Sequence, residues 1–195
     1  MVRLRGICAR AVAAAGVAVL CACAPALIER PAPPSALAPQ ATAFELTGRL
    51  SARRGNDALS ANFRWTHEAE RDELDLSSPL GQTIARLSGD ASGVHLQTPD
   101  GKVATASDWA ALTTRALGWP LPVAGLAFWI QGAPRDGVPA AVERASDGMP
   151  AALRQDGWSV VYQAFERGSD GVSRPKRLTL DYADVELRIA VDSWR

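Results

Sequence analysis

From Phe44 onward, apolar side chains recur mostly at every second position. Phe44, Leu46, Gly48 and Leu50 alternate with polar or small neighbours, as do Leu59, Ala61, Phe63 and Trp65, then Leu74 and Leu76, then Val94 and Leu96. The pattern returns near the C-terminus in Trp158, Val160 and Tyr162, in Leu178, Leu180 and Tyr182, and in Val185, Leu187, Ile189 and Val191. A period of two predicts strands with one apolar and one solvated face. Turn signals separate these runs at short intervals: Gly55-Asn56-Asp57, Ser78-Pro79-Leu80-Gly81, Gly89-Asp90, Pro99-Asp100-Gly101, Asp156-Gly157 and Gly168-Ser169-Asp170-Gly171. Short connections predict an antiparallel meander.

The centre of the chain has a different period. Ser107 is placed to cap a helix that runs to about Leu117 and is ended by Gly118, with Trp109, Leu112 and Ala116 on one face. A second helix starts at Pro122 and carries Leu126, Phe128, Trp129 and Ile130 before Gly132-Ala133-Pro134. The expected fold is therefore mainly β with a helical insert, roughly nine to eleven strands interrupted once. An antiparallel half-barrel covered by two or three helices and enclosing an apolar cavity fits this order of elements. Three of the six tryptophans, Trp109, Trp119 and Trp129, fall in the insert. Each alone suits a core; together, between a sheet and its covering helices, they line either a filled core or a cavity suited to acyl chains.

The first residues have another character. Arg3, Arg5 and Arg10 precede Ala11–Leu20, an apolar run too short to span a bilayer, which takes about 20 residues. It has the form of a signal-peptide core. The run ends in Leu20-Cys21-Ala22-Cys23, which resembles a bacterial lipobox, with Cys23 the better candidate for acylation because Ala22 before it is small. Residues 1–22 are thus expected to be a lipoprotein signal peptide, residues 23–43, with five prolines, a lipid-anchored tether, and residues 44–195 the folded domain. Ala24 after the cysteine, in place of Asp, favours the outer membrane by resemblance to envelope lipoproteins.

Composition excludes more than it proposes. The 21 basic and 21 acidic residues balance, and no basic stripe marks a nucleic-acid surface. Loss of residues 1–22 removes three arginines and no acid, leaving a net charge of −3. All three cysteines, Cys8, Cys21 and Cys23, lie at the N-terminus, so the body holds no disulfide and no thiolate metal site. The two histidines, His67 and His95, belong to no metalloprotease pattern, and no nucleophile elbow, Walker loop or dinucleotide fingerprint is present. Neither catalytic residues, metal ligands nor a cofactor are expected. His67 and the acids Glu68, Glu70, Asp72 and Glu73 read as a solvated hairpin edge. Arg49, inside an otherwise apolar strand pattern, reads as a charge on the outer face.

Several segments, in order, resemble one family. They are Phe44–Leu50 (FELTGRL), Phe63-Arg64-Trp65, Leu74–Gly81 (LDLSSPLG), Gly118–Pro122 (GWPLP), Phe128–Pro134 (FWIQGAP), Gln155–Tyr162 (QDGWSVVY) and Leu187–Trp194. Together with the lipobox and the length, they resemble LolB, the outer-membrane receptor that accepts lipoproteins from the periplasmic carrier LolA. The resemblance implies a LolA/LolB-like half-barrel over an apolar cavity, here with Phe63, Trp65, Leu126 and Trp129 as lining. It implies a LolA-like carrier and triacylated lipoprotein cargo as partners, and a protruding Leu80 that helps deliver cargo into the membrane. The body is expected to be a monomer anchored on the periplasmic face of the outer membrane. The competing reading is a lipid-anchored structural or assembly factor with a filled core and no acyl binding. A lipid-anchored hydrolase would need a nucleophile and base that do not emerge, and a soluble carrier is disfavoured by the lipobox.

Overall fold

A computed structural model describes residues 37–195, all of which fall in one compact unit. Eleven strands and two helices follow in order: β1 (Ala43–Arg54), β2 (Asp57–Glu68), β3 (Arg71–Ser77), β4 (Thr83–Asp90), β5 (Gly93–Gln97), β6 (Val103–Ala106), α1 (Trp109–Leu117), α2 (Val123–Trp129), β7 (Ala140–Arg144), β8 (Pro150–Gln155), β9 (Trp158–Arg167), β10 (Ser173–Tyr182) and β11 (Val185–Trp194). They form a single sheet in the order β6-β5-β4-β3-β2-β1-β11-β10-β9-β8-β7, with each neighbouring pair antiparallel.

This order dictates where the helices go. Two meanders, β1–β6 and β7–β11, join through β1 and β11, so β6 and β7 end up at opposite edges of the open half-barrel. The chain between those edges must cross one face of the sheet. It crosses the apolar face: Trp109, Leu112, Val123, Leu126 and Trp129 of the helices share one buried cluster with Phe44, Leu46, Phe63, Trp65, Leu153 and Leu178 of the strands. Burial of that face supplies the driving force, at about 25 cal/mol per Å² of apolar surface.

Four local expectations change in the folded chain. Asp108, not Ser107, caps α1: its carboxylate accepts the Ala111 N–H at 2.8 Å, while Ser107 donates to that carboxylate. The buried face of α1 carries Trp109, Leu112 and Thr113, and Ala116 is exposed. Thr113 is buried because its hydroxyl donates to Trp109 O and accepts from Leu121 N, both within the helical insert. Gly89-Asp90 is not a turn but the end of β4, with the turn following it; a Cβ at Gly89 would stand 2.6 Å from the Trp109 ring. The His67–Glu73 hairpin is not solvated throughout. Asp72 is buried, accepting from Trp65 Nε1 at 2.7 Å, with His67 Nδ1 at 2.8 Å.

Candidate functional site

The first feature is the interior between sheet and helices. Phe63 and Trp65 alternate inward on β2, and Leu126 and Trp129 lie on the buried face of α2. Their exposures are 6%, 1%, 7% and 1%, so the structure brings all four into one closed apolar cluster rather than onto an open concavity. Phe63 sits opposite Gly48 on β1, where a Cβ would meet the Phe63 ring at 2.9 Å and collide with Ala190 O. The missing side chain makes room for the ring.

The two ends of the helical layer are held differently. At the α2 exit, Trp129 Nε1 donates to Gln155 Oε1 at 2.8 Å, and Tyr162 Oη donates to Trp129 O at 2.9 Å. Gln155 also accepts from Arg135 N and donates to Arg135 O and Val138 O, so every polar atom of this buried amide is used. Burial pushes the Tyr162 hydroxyl well above its ordinary value, which keeps it a neutral donor. Gln131, one residue beyond the cap, donates to Ala41 O and Ala127 O and accepts from Ala41 N. By contrast, α1 rests on β5, β6 and α2, with polar ties at its exposed side: Arg115 Nη1 to Thr105 O at 2.9 Å and Arg54 Nη1 to Gly118 O at 2.8 Å. Trp119, in the connection between the helices, is buried with no partner for its indole N–H. Sequence reasoning missed the Gln155 and Gln131 anchors, because nothing local to a glutamine reveals that its partners lie 20 and 90 residues away.

The second feature is the β3–β4 turn. Gly81 N donates to Ser78 O at 2.8 Å, with Gly81 at a φ of 84° that suits glycine. Ser78 O also accepts from Asn62 Nδ2, and Ser78 Oγ accepts the Gln82 N–H. This bonding fixes the backbone and leaves Leu80 at the tip, 91% exposed. Among the described residues the next most exposed large apolar side chain is Val103 at 63%. Cys23 lies outside the described residues, and so does the signal segment. From Leu37 the chain already lies on the body: Leu37 bridges to Ser173, and Ala38 N donates to Ser173 O.

No group of three or more metal-ligating side chains occurs among the described residues, and no helix there is long and apolar enough to cross a membrane. Comparison with known proteins agrees with this geometry. The family model described as outer membrane lipoprotein LolB matches residues 42–194. The outer-membrane lipoprotein LolB of Thiobacillus denitrificans is 43% identical over 166 residues, covering 85% of this chain and 87% of the relative. That of Chromobacterium violaceum is 38% identical over 178 residues, covering 91% and 93%. In fold, the chain is similar to the crystal structure of a LolA superfamily protein from Nitrosomonas europaea, at a TM-score of 0.51, 9% identity, and coverage of 81% and 87%. An open antiparallel half-barrel with a two-helix cover, matched by the family model over residues 42–194, places this chain in the LolB family of outer-membrane lipoproteins.

Proposed function

We propose that the protein accepts triacylated lipoproteins from a LolA-like periplasmic carrier into the space between sheet and helices and inserts them into the outer membrane. Cys23 carries its own lipid anchor. The observation that carries this reading is the pairing of an apolar inner face, covered only by two short helices, with an outward leucine on a braced turn. Three acyl chains of roughly 15 methylenes, at about 0.8 kcal/mol each, make passage through water cost on the order of tens of kcal/mol. A receptor lowers that barrier by offering apolar surface without an energy source. Phe63, Trp65, Leu126 and Trp129 become the lining when the helical layer parts from the sheet at its α1 end, whose polar ties are exposed, while the α2 exit stays fastened.

Leu80 acts at release. One leucine entering the acyl region gains roughly 1.5–3 kcal/mol, enough to orient a tethered body and too little to anchor it. The test is a two-stage assay: transfer of a labelled lipoprotein from the carrier, then incorporation into liposomes. Leu80→Glu is expected to keep acceptance and folding, with stability changed by less than about 0.5 kcal/mol as for other exposed sites, and to lose incorporation. Loss at the acceptance stage, or a stability loss typical of a core position, refutes the role of the loop.

The closed packing of the four lining residues favours a second reading, a lipid-anchored assembly factor whose core stays filled. Native mass spectrometry with a triacylated peptide separates the two. Binding, accompanied by a shift in tryptophan emission, supports the receptor; no binding supports the filled core.

A further inference from the structure

Three arginines outside the apolar interior converge on the outer face of the sheet, next to the Leu80 turn. Register places Ser77, Asn62, Arg49, Ala190 and Arg177 in one row across β3, β2, β1, β11 and β10. Arg188 stands in the adjacent row, opposite Ser51 and Thr179. These residues border a groove of about 360 Å³ that reaches Pro79, the residue before Leu80, and no carboxylate lines it. Arg49 and Arg177 flank the small Ala190 from strands on either side, about 10 Å apart at two strand spacings. Arg177 is exposed and makes no ion pair among the described residues. Arg49 is held by Asp192 and Arg188 by Glu186, each at 3.0 Å and largely exposed. Exposed pairs of this kind are weak and exchange readily, so all three guanidinium groups can turn toward an anion.

We propose that this groove binds the headgroups of anionic phospholipids at the bilayer surface and so docks the body beside its release site. Guanidinium groups grip phosphate through paired N–H donors, and Ser51, Ser60 and Asn62 add neutral polar groups at the rim. The order of chemistry along the surface is the order met on entering a bilayer edge-on. An apolar tip reaches for acyl chains and a cationic groove follows at the depth of the phosphates. The inference rests on the reading that Leu80 faces the membrane, and its test separates the two.

The experiment uses the chain from residue 24, which lacks the acylated cysteine and retains the whole folded unit. Its partition is measured onto vesicles of phosphatidylcholine alone and onto equimolar phosphatidylcholine and phosphatidylglycerol. The intact chain is expected to bind the anionic vesicles more tightly. Each arginine near a charged surface is worth about fivefold in partition, so the double variant Arg177→Ser/Arg188→Ser is expected to lose about 25-fold on anionic vesicles and little on neutral ones, with unchanged melting. Arg154→Ser, on the remote strand β8, is the control and changes neither. Undiminished anionic binding by the double variant overturns the proposal, and so does an equal loss on both vesicle types. Intact vesicle binding with failed acceptance from the carrier also overturns it and assigns the groove to the carrier. If Leu80→Glu loses binding while the arginine variants keep it, the groove fails and the loop stands. If the arginine variants lose binding while Leu80→Glu keeps it, the loop fails and the groove stands.

Discussion

Gly48 and Gly89 show how single residues set the interior. Both sit inside strands, where glycine is ordinarily a weakness. Each is there because a ring takes the place of its side chain, Phe63 over Gly48 and Trp109 over Gly89. A methyl group on Gly48 meets a backbone oxygen as well as the ring, and a backbone oxygen has little freedom to move. Gly48→Ala is therefore expected to destabilise by about 3 kcal/mol, the upper part of the range for overpacking, measured as a urea midpoint. A change within experimental error shows that β1 yields there. The alternation FELTGRL was enough to place Gly48 on the inner face; that it yields space to Phe63 is visible only once β1 and β2 are paired.

Among elements, the helical layer is fastened at one end. Replacing Gln155 by Leu leaves the Trp129 indole, the Arg135 backbone and the Val138 carbonyl without their partners. Orphaned buried polar groups cost about 1–3 kcal/mol each, and relaxation recovers part, so a loss of about 3 kcal/mol or more is expected from Gln155→Leu. Differential scanning calorimetry of that variant checks it; a loss below about 1 kcal/mol shows that the amide is not the fastening. The turns and caps add an acid-sensitive component. The Ala111 backbone N–H holds Asp108 below its ordinary value of 3.8, and the Arg54 guanidinium does the same for Asp184. Because the folded values are lower than the unfolded ones, the stability these groups contribute is complete above about pH 4 and disappears as pH falls through the folded values. Urea midpoints are expected to be flat from pH 7 to 5 and to drop toward pH 3. Asp108→Asn, which keeps a capping oxygen, is expected to shallow that drop. An unchanged slope in the variant removes Asp108 from this account.

For the whole molecule, the point where the described chain begins and the Leu80 turn are apart along the sheet. Leu37 and Ala38 meet Ser173 at the same end where Ala43 pairs with Glu68, whereas Ser77, just before the turn, pairs with Asn62. Six residues of β2 separate those positions, about 20 Å. Fourteen steps from Cys23 to Leu37 reach up to about 46 Å at ~3.3 Å each, enough for a body anchored at Cys23, as proposed above, to lay Leu80 on the same bilayer. Removing residues 24–33 leaves roughly 13 Å, which is too short. The deletion is expected to preserve acceptance and abolish release when the lipidated protein is reconstituted in liposomes. Full release by the shortened protein separates the turn from the anchoring membrane.

The period-two runs predicted most long strands, because each has a face that alternates cleanly between apolar and polar side chains. β4, β6, β7 and β8 were not legible. β4 carries Ala85 and Gly89 at inward positions, β6 has four residues, and β7 is an exposed edge strand, so none presents strong alternation. The outward Leu80 was visible in the chain itself, since a proline–leucine–glycine turn leaves a leucine without a strand neighbour. The four interior residues were legible as apolar and inward, but whether they enclose space or fill it depends on how closely α1 and α2 approach the sheet. That approach is set by Gln131, Gln155, Tyr162 and Gly89, each matched to partners far away in the chain. The arginine groove likewise exists only because β1 pairs with β11 and β11 with β10. That pairing sets Arg49 beside Arg177 and Arg188, residues more than 120 positions apart, as is possible only when cross-strand register, and not chain order, decides what is adjacent.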